Sequence, residues 1–322
     1  MDTTKASTPL FENIDNLLWF DDGNVILIAE GVAFRVYQGL LSTRSTVFRD
    51  LFQVPQPPDG ESYEGCPVIR LHDKRMDLHA LLRTLFGFKE FLDVEKITFC
   101  DISPLVRLSH KYDIKDLYES TSKRLKTMFP TQLHDFDNMR TVYSQSEAIE
   151  AVNLARLIDE ESILPVSFYL CCQRSLQNWW ENDADQNDFL QLVDARDREK
   201  CRELQTWLRV TNYRLSIKML CGSTYHVCWN RKNKSPCARV LQEKTAAFVS
   251  ERGLEQDLTD CALFHSKEHL WTSPVLCEFC TKELSRRHRT ERLRLWNRLP
   301  SILGIKVPNW PCDAEVEDGT SW

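Results

Sequence analysis

Trp19 to Phe52, WFDDGNVILIAEGVAFRVYQGLLSTRSTVFRDLF, is the stretch whose reading decides the fold. Val25-Ile26-Leu27-Ile28 is a short apolar run with β-branched residues, and Val32-Ala33-Phe34-Arg35-Val36 alternates, so both predict strands. Glu30-Gly31 between them supplies a turn in which glycine can take a positive φ, which makes the pair a hairpin. Leu40-Leu41, Val47-Phe48 and Leu51-Phe52 then recur at helical spacing, with Ser45 placed to cap the second turn and Arg44, Arg49 and Asp50 facing water. The order is strand, strand, helix, helix. Asp21-Asp22 reads as a turn ending at Gly23 rather than as a catalytic carboxylate pair.

Working outward, residues 1–16 are polar and carry Pro9, and predict a flexible lead-in with at most a short turn over Asn13 to Leu18. Val54 to Ser62 is rich in proline and predicts a surface loop. Cys66 to Leu71 predicts the next strand, and Met76 to Phe86 a helix with Leu78, Leu81, Leu82 and Leu85 on one face. Ser103-Pro104 reads as a cap followed by a first-turn proline, opening a helix through Leu105, Leu108, Ser109 and Tyr112. Asp116-Leu117, Leu125 and Met128 give one more helix before Pro130.

Asp22, Val25, Phe34, Leu41, Arg44, Ser45, Phe48, Leu51 and Phe52 match the opening pattern of the BTB/POZ domain, and Leu105-Val106-Arg107-Leu108-Ser109-His110-Lys111-Tyr112-Asp113-Ile114 resembles that family's L-L-x-L-A-x-K-Y-x-I helix. The resemblance covers about Leu17 to Met128. It departs from the family at Tyr37, where histidine is common, and at Asn24, where an acidic residue is often found. The resemblance implies an α+β fold, a small sheet with flanking helices over residues 17–130, ahead of a mostly helical region over 131–322. It also implies a surface for self-association or pairing with another BTB chain, which points to Leu17 and Phe20 at the N-terminal edge and to Phe52, Val54 and Gln56 after the second helix. Family members that adapt substrates to cullin-based ubiquitin ligases carry a hydrophobic-x-Glu motif there. The nearest match is Val54-Pro55-Gln56, with glutamine in place of glutamate, which weakens that assignment.

Past Pro130 strand signals nearly vanish. Ser144-Gln145-Ser146-Glu147 is a capping box, and Ala148, Ala151, Val152, Ala155 and Ile158 form the buried stripe of the helix it starts. A further helix begins at Leu164-Pro165 and ends before Trp179-Trp180 and the acidic loop Glu181 to Asp185; others are expected around Asp188 to Val193, Arg196 to Leu208 and Ala238 to Glu251. No repeat of propeller-blade length occurs.

Composition narrows the chemistry. The chain has 10 glycines and neither G-x-x-x-x-G-K-[ST] nor G-x-G-x-x-G, so nothing in it cradles phosphates in the usual way. G-x-S-x-G and H-E-x-x-H are also missing. No apolar stretch is long enough to span a membrane, and the N-terminus has no apolar signal core, so a cytoplasmic or nuclear protein is expected. The formal net charge of −6 argues against a generally basic nucleic-acid binder.

In a reducing compartment the 12 cysteines do not read as a disulfide framework. Cys277-Glu278-Phe279-Cys280 has the spacing that lets two thiolates reach one zinc ion. Cys237 and Cys228 can complete a tetrahedron, with His226, Cys221, Cys261 and His265 as other candidates. The competing reading makes these cysteines small buried hydrophobes of a helical core. Lys282 to Arg298 follows, with Arg286, Arg287, Arg289, Arg292, Arg294 and Arg298 interleaved with Leu284, His288, Leu293, Leu295 and Trp296. One reading is a zinc-stabilised basic region of a transcriptional regulator; the other is an ordinary helix with one packing face and an arginine-covered exterior. The tail Trp296 to Trp310, like Cys277 to Cys280, resembles a pattern in BTB-domain proteins of mushroom-forming fungi. Together these expectations describe a non-enzymatic interaction scaffold that pairs through its first domain and recruits a protein through its helical half.

Overall fold

The computed structural model describes residues 10–54, 60–87, 97–139, 143–173, 194–221, 228, 236–249 and 273–311. The chain divides into two compact units, Met1–Met128 and Phe129–Trp322.

The first unit carries β1 (Asn13–Trp19), β2 (Val25–Ala29), β3 (Val32–Val36), α1 (Gln38–Arg44), α2 (Thr46–Gln53), β4 (Ser62–Tyr63), β5 (Cys66–Leu71), α3 (Arg75–Leu85), α4 (Phe99–Lys111) and α5 (Lys115–Met128). β2 and β3 form the expected hairpin, with Ala29 opposite Val32. Its two loop residues, Glu30 at φ 47° and Gly31 at φ 77°, both take the left-handed backbone that a two-residue hairpin turn needs. The sheet order is β1-β3-β2-β5-β4, and β5 returns parallel to β2.

All five residues of β2 are buried, because the sheet is covered on both faces. Val25, Leu27 and Ala29 meet Phe34, Leu41, Phe48, Leu78, Leu81, Leu82 and Leu108 on one face. Ile26 and Ile28 meet Ala33, Cys66 and Val68 on the other, under Phe11, Trp19 and Tyr63. Ser45 caps α2 by accepting from the Phe48 N–H at 3.0 Å, and its hydroxyl donates to the Tyr112 carbonyl at 2.5 Å. Both departures from the family pattern have structural roles. Asn24 accepts the Gln38 N–H at 2.8 Å, and the Tyr37 hydroxyl donates to Asp22 at 2.6 Å.

Two expectations are corrected. Residues 13–16 belong to β1 rather than to a flexible lead-in. The strand is held by distant partners: Glu12 N–H donates to Gly31 O at 2.8 Å, and Asp15 meets His79 of α3 at 2.6 Å. The Ser103-Pro104 start of α4 is also displaced. The helix begins at Phe99 behind a Thr98–Asp101 capping box, and Pro104 lies inside it. Phe99 and Ile102 extend the buried stripe by a turn, and the proline costs the helix one backbone bond near its N-terminus. Ser62, expected in the loop, starts the two-residue β4.

The second unit comprises, among the described residues, α6 (Leu133–Asp137), α7 (Gln145–Leu157), α8 (Leu164–Cys171), α9 (Ala195–Cys221), α10 (Pro236–Val249) and α11 (Glu278–Ile302). The Ser144–Glu147 capping box opens α7 as expected. α8 is buried nearly all round and packs on α7 and α9, and α9 also packs on α10 and α11. α9 runs well past the predicted end at Leu208. Its inner face continues through Asn212, Leu215, Ser216 and Met219, and the buried polar residues break the apolar period. Trp296 of α11 is fully buried and donates to the Thr131 carbonyl at 2.7 Å. Trp310 stacks on it with centroids 5.3 Å apart and donates to its carbonyl at 3.1 Å, so the tail closes the same core that residue 131 opens. Trp179-Trp180, the loop over Glu181 to Asp185 and the expected helix at Asp188 to Val193 lie outside the described residues. Among the described residues no helix is long and apolar enough to cross a membrane.

Candidate metal centre

Cys277 is the N-cap of α11 and Cys280 is the third residue of that helix. A side chain at the N-cap sits over the third residue of the first turn, as capping boxes show, so the C-x-x-C spacing brings both sulfurs to one point. Cys237 is the second residue of α10, directly after Pro236, whose fixed φ favours a helix start. Cys228 completes the group, and all four ligand sulfurs lie within 4.8 Å of one another. Cys228, Cys237 and Cys280 are buried, and Cys277 is half-buried.

The Cys228 and Cys277 sulfurs are 3.9 Å apart. That is far beyond the roughly 2.05 Å of a disulfide. It is close to the ~3.8 Å edge of a tetrahedron built on Zn–S bonds of about 2.3 Å. The Cys277 N–H donates to the Cys237 sulfur at 3.2 Å, the kind of supporting bond a metal-ligating sulfur accepts. Two helix N-termini supply Cys237, Cys277 and Cys280.

Burial pushes the Cys280 thiol well up, and its contacts with the Cys277 and Cys228 sulfurs add to the shift. The Cys280 thiol thus holds its proton unless a cation is present to take the charge. The donor set is soft, four-coordinate and mononuclear in size, which suits zinc or iron and not magnesium or calcium. The structure therefore gathers Cys277, Cys280, Cys237 and Cys228 from the sequence candidates. Cys221 closes α9, while His226, Cys261 and His265 lie outside the described residues.

The residues expected at an interaction surface are distributed unevenly. Leu17 on β1 is 43% exposed and Val54, the C-cap of α2, 58%. Phe20 and Phe52 are half-buried against the core, Phe20 stacked on Tyr37 at 5.1 Å and Phe52 on Phe48 at 5.8 Å. Gln56 lies outside the described residues.

On α11, Leu284, His288, Leu295 and Trp296 face the core. Much of its basic character is spent within the helix or the unit. Arg286 and Arg287 share Glu283, Arg294 pairs with Glu291, and Arg292 is buried against Asp137. Arg298 lies over the Trp207 ring at 5.8 Å. A cleft of about 300 Å³ between Ala155 and Leu164, closed by Pro308, is lined by Arg156, Asp159, Glu160 and Glu161.

A second sulfur group was not signalled by spacing. Cys171 and Cys172 at the end of α8 meet Cys201 of α9, and all three are buried. The vicinal pair is visible in the sequence, but nothing local ties it to a cysteine 29 residues after Cys172. No protein-family model matches the chain, and no curated protein matches it either.

Proposed function

We propose that this protein is a non-enzymatic interaction scaffold. Its first unit pairs with a second copy or with another BTB chain, and its helical unit, stapled by one zinc ion at Cys228, Cys237, Cys277 and Cys280, recruits a protein partner. The observation that carries the reading is the arrangement of the first unit: hairpin, two short helices, a returning strand and three helices, in the order that the BTB resemblance implies. Ile14, Leu17, Leu40, Val47 and Val54 stay exposed on it. Four thiolates with no open position suit a zinc that holds structure and not one that binds substrate. A cullin-adaptor role is the narrower version of the same reading, and glutamine at position 56 counts against it.

Light scattering of the full chain tests self-pairing: a particle of twice the 37.7 kDa chain mass is expected, and a monomer across micromolar concentrations would overturn it and leave only pairing with another BTB chain. Elemental analysis of protein purified without added metal tests the staple. One equivalent of zinc is expected, and metal-free or iron-loaded protein would remove it.

A further inference from the structure

The four sulfurs of the metal centre are not equally sheltered. Cys228, Cys237 and Cys280 are 5%, 1% and 1% exposed, whereas Cys277 is half-buried. Its neighbours Pro274, Val275, Glu278 and Phe279 all face water, so the turn that opens α11 lies at the surface. Cys277 is thus the ligand of the four that a solute reaches.

Their backbones also differ. Cys237 and Cys280 sit inside the first turns of α10 and α11. Cys277 is an N-cap with extended backbone, φ −67° and ψ 154°, and Cys228 belongs to no helix or strand. These two non-helical residues have their sulfurs 3.9 Å apart, so reaching the roughly 2.05 Å of a disulfide takes a movement of about 2 Å that no helix has to follow.

We propose that Cys277 and Cys228 make the zinc staple peroxide-sensitive: hydrogen peroxide joins them in a disulfide, which frees the ion and loosens the starts of α10 and α11. This regulation rests on the zinc staple proposed above. The Cys277 thiolate attacks one oxygen of the peroxide. A sulfur–oxygen bond forms, the oxygen–oxygen bond breaks, and the departing hydroxide takes a proton from solvent and leaves as water. The Cys228 thiolate then attacks the Cys277 sulfur of the sulfenic acid. The sulfur–sulfur bond forms as the sulfur–oxygen bond breaks, and the second hydroxide leaves as water in the same way. Two thiolates lose two electrons, and the peroxide gains them. Neither disulfide sulfur is then a thiolate ligand, and Cys237 and Cys280 alone make half of a four-coordinate site. A dithiol reductant restores both thiolates.

The test uses the full chain, purified without added metal, assayed for zinc and then titrated with hydrogen peroxide. A chromogenic chelator reads the released zinc, and peptide mapping after thiol blocking reads the links. One equivalent of zinc is expected to appear in step with a Cys228–Cys277 link, and dithiothreitol with added zinc should restore the thiols and the ion. Hydrogen exchange at the first turns of α10 and α11 should quicken over the same doses. Cys277→His keeps a zinc donor but removes the sulfur, and should hold its ion at doses that empty the wild type. Zinc kept at doses that fully oxidise the exposed Cys100 overturns the switch, as does zinc lost without the link or with a Cys277–Cys280 link in its place. The wild-type titration decides these points even where Cys277→His does not fold. Protein that holds no zinc before peroxide overturns the staple and the switch together, whereas zinc present but not released overturns the switch alone.

Discussion

The Cys277 N–H donates to the Cys237 sulfur at 3.2 Å across 40 residues of sequence, joining the N-termini of α11 and α10. With a metal at the four sulfurs this contact is a supporting bond to a ligand. Without one, it is an N–H to sulfur bond beside a Cys280 thiol that burial holds protonated.

Metal removal should therefore loosen the helical unit. A zinc chelator is expected to lower its unfolding midpoint and raise hydrogen exchange at the first turns of α10 and α11, while the amides of β2 and β3 stay protected. Because thiols must lose protons to bind, zinc affinity should rise with pH. Cys280→Ser, at a buried position, should cost more than Cys277→Ser at the half-buried N-cap. Equal exchange in the presence and absence of chelator would deny the site its structural role.

Arg292 is 8% exposed at its side chain and meets Asp137 through bonds of 3.1 and 2.5 Å. Removing only the acid takes two charge-assisted bonds from a buried cation, so Asp137→Ala should destabilise the helical unit by about 3 kcal/mol. Arg292→Met combined with Asp137→Leu should recover much of the loss, since the pair is then replaced by two apolar side chains that need no ionic partner. Urea unfolding followed by tryptophan fluorescence reads both, Trp296 lying one turn beyond Arg292.

Glu283 accepts from Arg286 at 2.9 Å and from Arg287 at 2.8 Å. The Arg286 hydrogen bond, followed by that of Arg287 against the opposing effect of burial, lowers its carboxyl from the ordinary 4.5 to about 2. A depressed folded-state value contributes stability above the unfolded value and loses it as pH falls through the folded one. Glu283→Gln should thus cost about 1 kcal/mol at neutral pH, the sum expected of two helix-surface pairs. The gap between wild type and variant should close as pH falls from about 4.5 towards 2. A gap that does not change with pH would mean that the charge is not what Glu283 contributes.

The residues explain which parts of this were legible in advance. The hairpin and its helices announce themselves because their signals are local, an unbroken apolar run in β2 and buried leucines every third or fourth residue in α3. β1 does not, since most of its side chains face water and its order comes from Gly31 and His79 far along the chain. The metal candidates divide the same way. Cys277 and Cys280 are three apart, which is one helical turn, whereas Cys237 is tied to them only by the packed helices. The end of α9 was hidden for another reason: Asn212 and Ser216 put polar atoms on its buried face.

Asp15 offers the sharpest check on β1. Its Oδ1 accepts the N–H groups of Leu17 and Leu18, each at 3.1 Å, and its Oδ2 meets His79 Nδ1 at 2.6 Å. One carboxylate thereby folds the bulge within the strand and ties it to α3, on the part-buried side of Leu18. Asp15→Ala removes all three bonds, and a net loss of about 1–3 kcal/mol is expected, because the Leu18 N–H loses its acceptor in a part-buried site. Exchange at Leu17 and Leu18 should quicken well before exchange at Leu27, which sits in the centre of the sheet. Asp15→Asn should keep the backbone bonds through its amide oxygen and weaken only the histidine contact, giving an intermediate loss. If both variants exchange like the wild type at Leu17 and Leu18, the strand is held by its pairing with β3 and by Leu18 and Trp19 packing rather than by Asp15.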